Sequence, residues 1–155
     1  MDPFTHHYAL EALRIQKPSI LYLAYGETDD WAHDGKYDEY LKSAKQTDAY
    51  LKEIWETIQA DPFYRNKTTM LITVDHGRGT SKESWKSHGA DVPGAGEVWL
   101  IAIGPDTPSL GEIKQEGQWH SAMLARTIFR LLGLDYPEAK AASEWKEILG
   151  QTRLN

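Results

Sequence analysis

Cysteine is absent from this chain of 155 residues. Disulfides and thiolate metal sites are therefore excluded. Long apolar runs are missing as well. None reaches the length of a membrane span, and no signal peptide is visible. Positive charge is in deficit, with 17 Lys and Arg against 23 Asp and Glu, a formal net charge of -6. Phosphate backbones are bound by an excess of Lys and Arg, so the balance argues against nucleic acid as the main partner. It argues in the same direction against an anionic membrane surface. A local cationic site inside an acidic protein is most simply a bound metal. No internal repeat or low-complexity tract breaks the chain.

What is present suits a packed domain. Hydrophobic residues make up 41% and include six Trp and eight Tyr, enough apolar area for a core. Residues 1–5 (MDPFT) read as a cloning leader and residues 6–155 as a single partial domain. His6 and His7 read as unstructured or as remnants of a junction. From about residue 6 to 16 a short helix is expected, ended by Lys17-Pro18. Residues 19–25 (SILYLAY) form a near-continuous apolar run and read as a buried strand. Residues 68–74 (TTMLITV) and 98–103 (VWLIAI) read the same way. Between the first two lies a long helix, residues 36–60, whose Tyr37, Leu41, Ala44, Leu51, Trp55 and Ile58 follow the helical period. Two more helices are expected at residues 118–132, with Gly133 as C-cap, and 137–149, with Gly150 after it. The order predicts an α/β fold with a mostly parallel sheet flanked by helices. Three strands make a small sheet, which hints that part of the domain lies elsewhere.

Two polar clusters directly follow two of these strands. Glu27, Asp29, Asp30, His33 and Asp34 make the first, and Asp75 with His76 the second. Segments that leave parallel strands emerge at one edge of the sheet, where ligands bind. Convergent carboxylates and imidazoles suit zinc, manganese or iron. Asp30 and Asp34 match Asp29 in chemistry, and only the four-residue spacing to His33 selects Asp29. Glu27 is a candidate to orient His33 or a bound water. Arg78 follows the Asp-His-Gly turn and is a candidate to pair with a phosphate or sulfate group. His88 sits in a connection longer than usual and is placed with Arg78 as a substrate-binding candidate. Ser81, Ser84 and Ser87 read as solvated turn residues.

The ordered set of Asp29-x-x-x-His33, Asp75-His76-Gly77 after an apolar strand, and Trp119-His120 opening a helix resembles the C-terminal half of the alkaline phosphatase superfamily. That group includes phosphatases, phosphodiesterases, sulfatases and cofactor-independent phosphoglycerate mutases. The resemblance implies two divalent ions, zinc or manganese. By it, Asp29, His33 and His120 bind one ion, and Asp75 and His76 bind the other. The nucleophile and a further Asp are expected on an upstream segment, so these residues alone are not expected to turn over substrate. The implied activity is hydrolysis of small phosphoric or sulfuric esters. Phosphoryl transfer back to substrate, as in the mutases, is the alternative, and a non-catalytic metal-binding or interaction module is another. Many relatives are exported, which favours a periplasmic or secreted setting. If a neighbouring segment supplies central strands, an apolar face is left open and the chain is expected to self-associate through it.

Overall fold

The computed structural model of the chain describes residues 1–114, 118–138, 140 and 142–149. They group into two compact units. One combines Met1–Asn66 with His76–Glu97, and the other Lys67–Asp75 with Val98–Asn155.

The first unit opens with helix α1, Asp2–Glu11, with Pro3 in its first turn where a missing N–H costs nothing. The helix widens into a π-type stretch over Ala12–Gln16 and ends at Lys17, which takes a left-handed conformation at φ 47. Ala9, Leu10 and Leu13 form its buried face. His6 and His7, expected to be unstructured, lie inside this helix, and His6 is fully enclosed. Packing overrides the expectation here, because His6 finds partners for both ring nitrogens (Nδ1 with Tyr25 and Nε2 with Glu53).

Residues 19–25 follow, and they form no strand. Their apolar pattern suits a strand paired on both edges, yet Ile20 is 59% and Tyr22 is 86% exposed. Helix α2, Glu27–His33, and the long helix α3, Tyr37–Ala60, complete the helical part. The α3 boundaries match the periodicity. Its buried residues are Ser43, Ile54 and Ile58, while Tyr37 and Leu41 remain exposed. Burying each of those two isoleucines contributes roughly 1.5–3 kcal/mol.

The second unit holds strands β1, Met70–Thr73, and β2, Leu100–Ile103. Their locations fit the apolar runs. Their pairing is antiparallel, Met70 opposite Ile103 and Thr73 opposite Leu100, where the sequence pattern predicts mostly parallel strands. A parallel pair needs a crossover that carries the chain back to its starting edge, usually a helix. No helix lies between β1 and β2. The architecture among the described residues is therefore helices with one small antiparallel sheet.

A 3-10 turn, Ser121–Met123, leads into helix α4, Leu124–Leu131. Gly133, at φ 69, ends it as expected. The N–H of Leu134 reaches back to the Phe129 carbonyl and that of Gly133 to Arg130, a pairing that glycine permits at positive φ. Thr127 is fully buried and accepts from the Trp145 N–H at 2.9 Å, tying the final segment to α4. The helix expected at 137–149 is reduced to a single 3-10 turn, Lys146–Ile148, and Gly150 lies outside the described residues. No helix among the described residues is long and apolar enough to cross a membrane.

Candidate metal centre

Helix α2 carries the first two donors. Asp29 and His33 stand four residues apart, so both project from one face. Glu27, Asp29 and Asp30 in the first turn and His33 in the last agree with the helix dipole. Both ends of α2 are fastened. The Asp2 carboxylate accepts from the N–H groups of Gly26 at 2.9 Å and Glu27 at 3.1 Å. At the other end Gly35 is left-handed at φ 71, and Lys36 and Gly35 donate back to Trp31 and Ala32. A seven-residue helix is marginal alone, and these anchors hold its carboxylate and imidazole in place.

The second and third imidazoles come from residues 76–97, which fold onto the same unit. The Gly77 N–H donates to Ala95 and the Gly79 N–H to Ser87. His33 Nε2 lies 2.9 Å from His88 Nε2 and 3.3 Å from Asp29 Oδ2. His88 Nε2 is 3.6 Å from Asp29 Oδ1. The donor atoms of Asp29, His33 and His88 all lie within 4.8 Å of one another. His76 stacks on His88, with ring centroids 3.7 Å apart and planes 12° from parallel. Its Nδ1 is 2.8 Å from the Gly77 carbonyl, which can only accept, so Nδ1 carries the proton there. Nε2 lies 3.9 Å from Asp29 Oδ1.

Arg78 closes the group. Its guanidinium pairs with Asp29 Oδ1, donates to the Trp85 carbonyl at 2.9 Å, and lies 5.8 Å from the Tyr40 ring centroid. Trp85 in turn meets Tyr37 and Tyr40 edge-on. A carboxylate and two facing imidazoles are a donor set for a borderline-hard divalent ion, and three protein donors leave room for a further oxygen ligand. The residues present fit such an ion.

Other candidates fall differently. Asp34 pairs with Lys36 at 3.2 Å, and Asp30 is exposed, so geometry separates Asp29 from both. Glu27 does not orient His33. It accepts from the Met1 amino group and the Asp2 N–H, and the first of these holds its carboxyl below the usual range. Ser81 and Ser84 hydrogen-bond each other at 3.0 Å in a turn. Asp75 and His120 belong to the second unit, where both are exposed, His120 as the N-cap of the 3-10 turn.

A family model described as the metalloenzyme superfamily matches residues 5–128. The chain belongs to the metalloenzyme superfamily. This agrees with the alkaline-phosphatase-like resemblance read from the motifs, and membership implies divalent metal ions. Two curated relatives of this superfamily chain are 2,3-bisphosphoglycerate-independent phosphoglycerate mutases. The one from Haloarcula marismortui is 28% identical over 135 residues, covering 84% of this chain and 24% of the relative. The one from Gloeobacter violaceus is 26% identical over 166 residues, covering 95% of this chain and 27% of the relative. The chain thus spans about a quarter of the length of each. No solved structure gives a significant match.

Within this superfamily chain, the sequence reading joined His120 to Asp29 and His33 and gave His88 to substrate. Within the first unit, His88 lies beside Asp29 and His33. The available signal was the short Ser87-His88-Gly89 step in an overlong loop, which shows access but not direction. The aromatic bracket of Tyr40 and Trp85 around Arg78 had no sequence signature either.

Proposed function

We propose that this metalloenzyme-superfamily chain supplies the metal-holding part of an enzyme that moves phosphoryl groups on small phosphate esters. The phosphomutase reading leads, because both curated relatives are mutases by name. The second reading is a hydrolase of phosphoric or sulfuric esters, which rests on the motif resemblance alone. One observation carries the proposal, the convergence of Asp29, His33 and His88.

Asp29, His33 and His88 would hold one divalent ion. Asp75 and His76 would serve a second, as the motif resemblance implies. When bound, such ions polarise a phosphoryl oxygen and lower the pKa of an attacking hydroxyl or water. Arg78 presents a fork suited to two phosphate oxygens, and its pairing with Asp29 keeps it beside the donors. The Gly77 carbonyl lies 2.8 Å from His76 Nδ1 and orients the ring. We place the nucleophile on a segment outside these 155 residues, within a mostly parallel sheet that such a segment would complete. Zinc and manganese both match the donors.

Metal titration tests this. Manganese or zinc should raise the melting temperature of the chain, by about 2.7 kcal/mol of added stability at a hundredfold excess over Kd. His88→Ala and His33→Ala should each lose most of that gain, while His120→Ala should keep it. Equal loss in His120→Ala with retention in His88→Ala would return the third donor to His120. A phosphoglycerate isomerisation assay beside a chromogenic phosphate assay, run on the chain joined to its nucleophile segment, separates mutase from hydrolase.

A further inference from the structure

We propose that Arg78 couples metal binding to anion binding: its guanidinium competes with a divalent ion for Asp29, and a phosphoryl anion draws it off that carboxylate. This deepens the reading above and rests on it.

The argument starts from one oxygen with several claimants. Asp29 Oδ1 pairs with the Arg78 guanidinium and also faces His88 Nε2 at 3.6 Å and His76 Nε2 at 3.9 Å. Arginine stays charged at any accessible pH, so it cannot yield to a metal by losing a proton, as an imidazole can. Its side chain is 17% exposed, so solvent screens it poorly. A divalent ion held by Asp29, His33 and His88 would therefore sit beside a fixed like charge and lose affinity.

Arg78 also has supports that do not depend on Asp29. It donates to the Trp85 carbonyl at 2.9 Å and lies beside the Tyr40 ring. A guanidinium anchored along one edge can turn its other edge from the carboxylate to a new acceptor. Phosphate offers two oxygens in the spacing of that fork. An anion between the arginine and the ion would convert their repulsion into a bridge. Linkage then requires reciprocity: phosphate must tighten the metal by the same factor by which metal tightens phosphate. Arg78 thus lowers the affinity of the bare donors for metal and raises it when the anion is present. The simpler role, a brace that orients Asp29 for the metal, predicts the opposite sign for its removal.

Calorimetric titration of manganese into the 155-residue chain, with and without inorganic phosphate, decides between them. In the unmutated chain phosphate should tighten manganese by about fivefold or more. Arg78→Gln should bind manganese alone about fivefold more tightly than the unmutated chain and show almost no response to phosphate. Arg78→Lys keeps the charge without the fork, so it should retain the weaker metal affinity and lose most of the phosphate response. Weaker manganese binding in Arg78→Gln, or an undiminished phosphate effect, overturns the coupling and leaves a brace. If Arg78→Gln does not fold, a full phosphate response in Arg78→Lys overturns it and a lost response supports it. An unmutated chain that takes up no more manganese than Asp29→Asn sinks the functional reading itself.

Discussion

His6 shows how far a single side chain can depart from its sequence context. Two adjacent histidines near a chain start carry no periodic signal, yet His6 is fully enclosed between Tyr25 and Glu53 and stacks on Tyr50 at 4.0 Å. Its Nε2 lies 3.0 Å from the Glu53 carboxylate and its Nδ1 3.1 Å from the Tyr25 hydroxyl. His6→Ala removes both bonds and leaves a void, so unfolding free energy in urea should fall by about 3 kcal/mol. Tyr25 adds a pH dependence. Burial first, then the nearby Asp2 carboxylate, pushes its phenol from 10.0 up to about 12. The folded state thus favours the neutral phenol more than the unfolded chain does. That contribution is complete below pH 10 and disappears as pH rises through about 12. Denaturation midpoints measured from pH 9 upward should fall more steeply in the unmutated chain than in Tyr25→Phe. The four-residue spacing of Asp29 and His33 was legible at this scale, but the helix that carries it was not, since residues 26–35 read as a polar loop. His88 was not, because its 55-residue separation from His33 is closed only by the folding of residues 76–97.

At the scale of elements, the long helix was the readable part, while α2 went unread and the last helix shrank to a 3-10 turn. The α3 boundaries followed from a sustained 3.6-residue period, and Gly133 from the need for a positive φ after α4. Two of the three apolar runs became strands, and neither their pairing nor the failure of residues 19–25 was readable, since pairing is decided between segments far apart in sequence. The loop after β1 is the element on which the candidate site depends most. A Cβ on Gly77 would run into the carbonyl oxygens of Gly94 and Glu97, both backbone atoms that cannot rotate away. Gly77→Ala should therefore cost about 2–4 kcal/mol in thermal melts. Since His76 and His88 flank the affected contact, metal-induced stabilisation should shrink as well. A variant that melts normally and keeps its metal response would show that the loop is looser than its hydrogen bonds indicate.

Over the whole molecule, apolar surface is the outstanding feature. Ile20, Tyr22, Leu41, Trp99 and Ile101 are all 46% or more exposed. Four of them lie in segments that read as buried strands. A short two-stranded sheet does not bury both faces of such segments, and exposed strand-forming backbone invites pairing with another chain. We expect the 155-residue chain to self-associate at micromolar concentration. Sedimentation should give a mass above 17.6 kDa that falls towards it on dilution. A species that stays monomeric as concentration rises, without binding a hydrophobic dye, would contradict this.

The sequence by itself determined the superfamily, the α/β character, the extent of the long helix α3 and the four-residue spacing of Asp29 and His33. Each of these rests on residue type and short spacing, which act within a few turns of chain. Tertiary structure alone decided that His88 joins those two donors, that Arg78 claims the same carboxylate, that His6 is buried, and that β1 and β2 run antiparallel. Those outcomes depend on loop closure and on competition among partners tens of residues apart, and no local pattern encodes which partner wins.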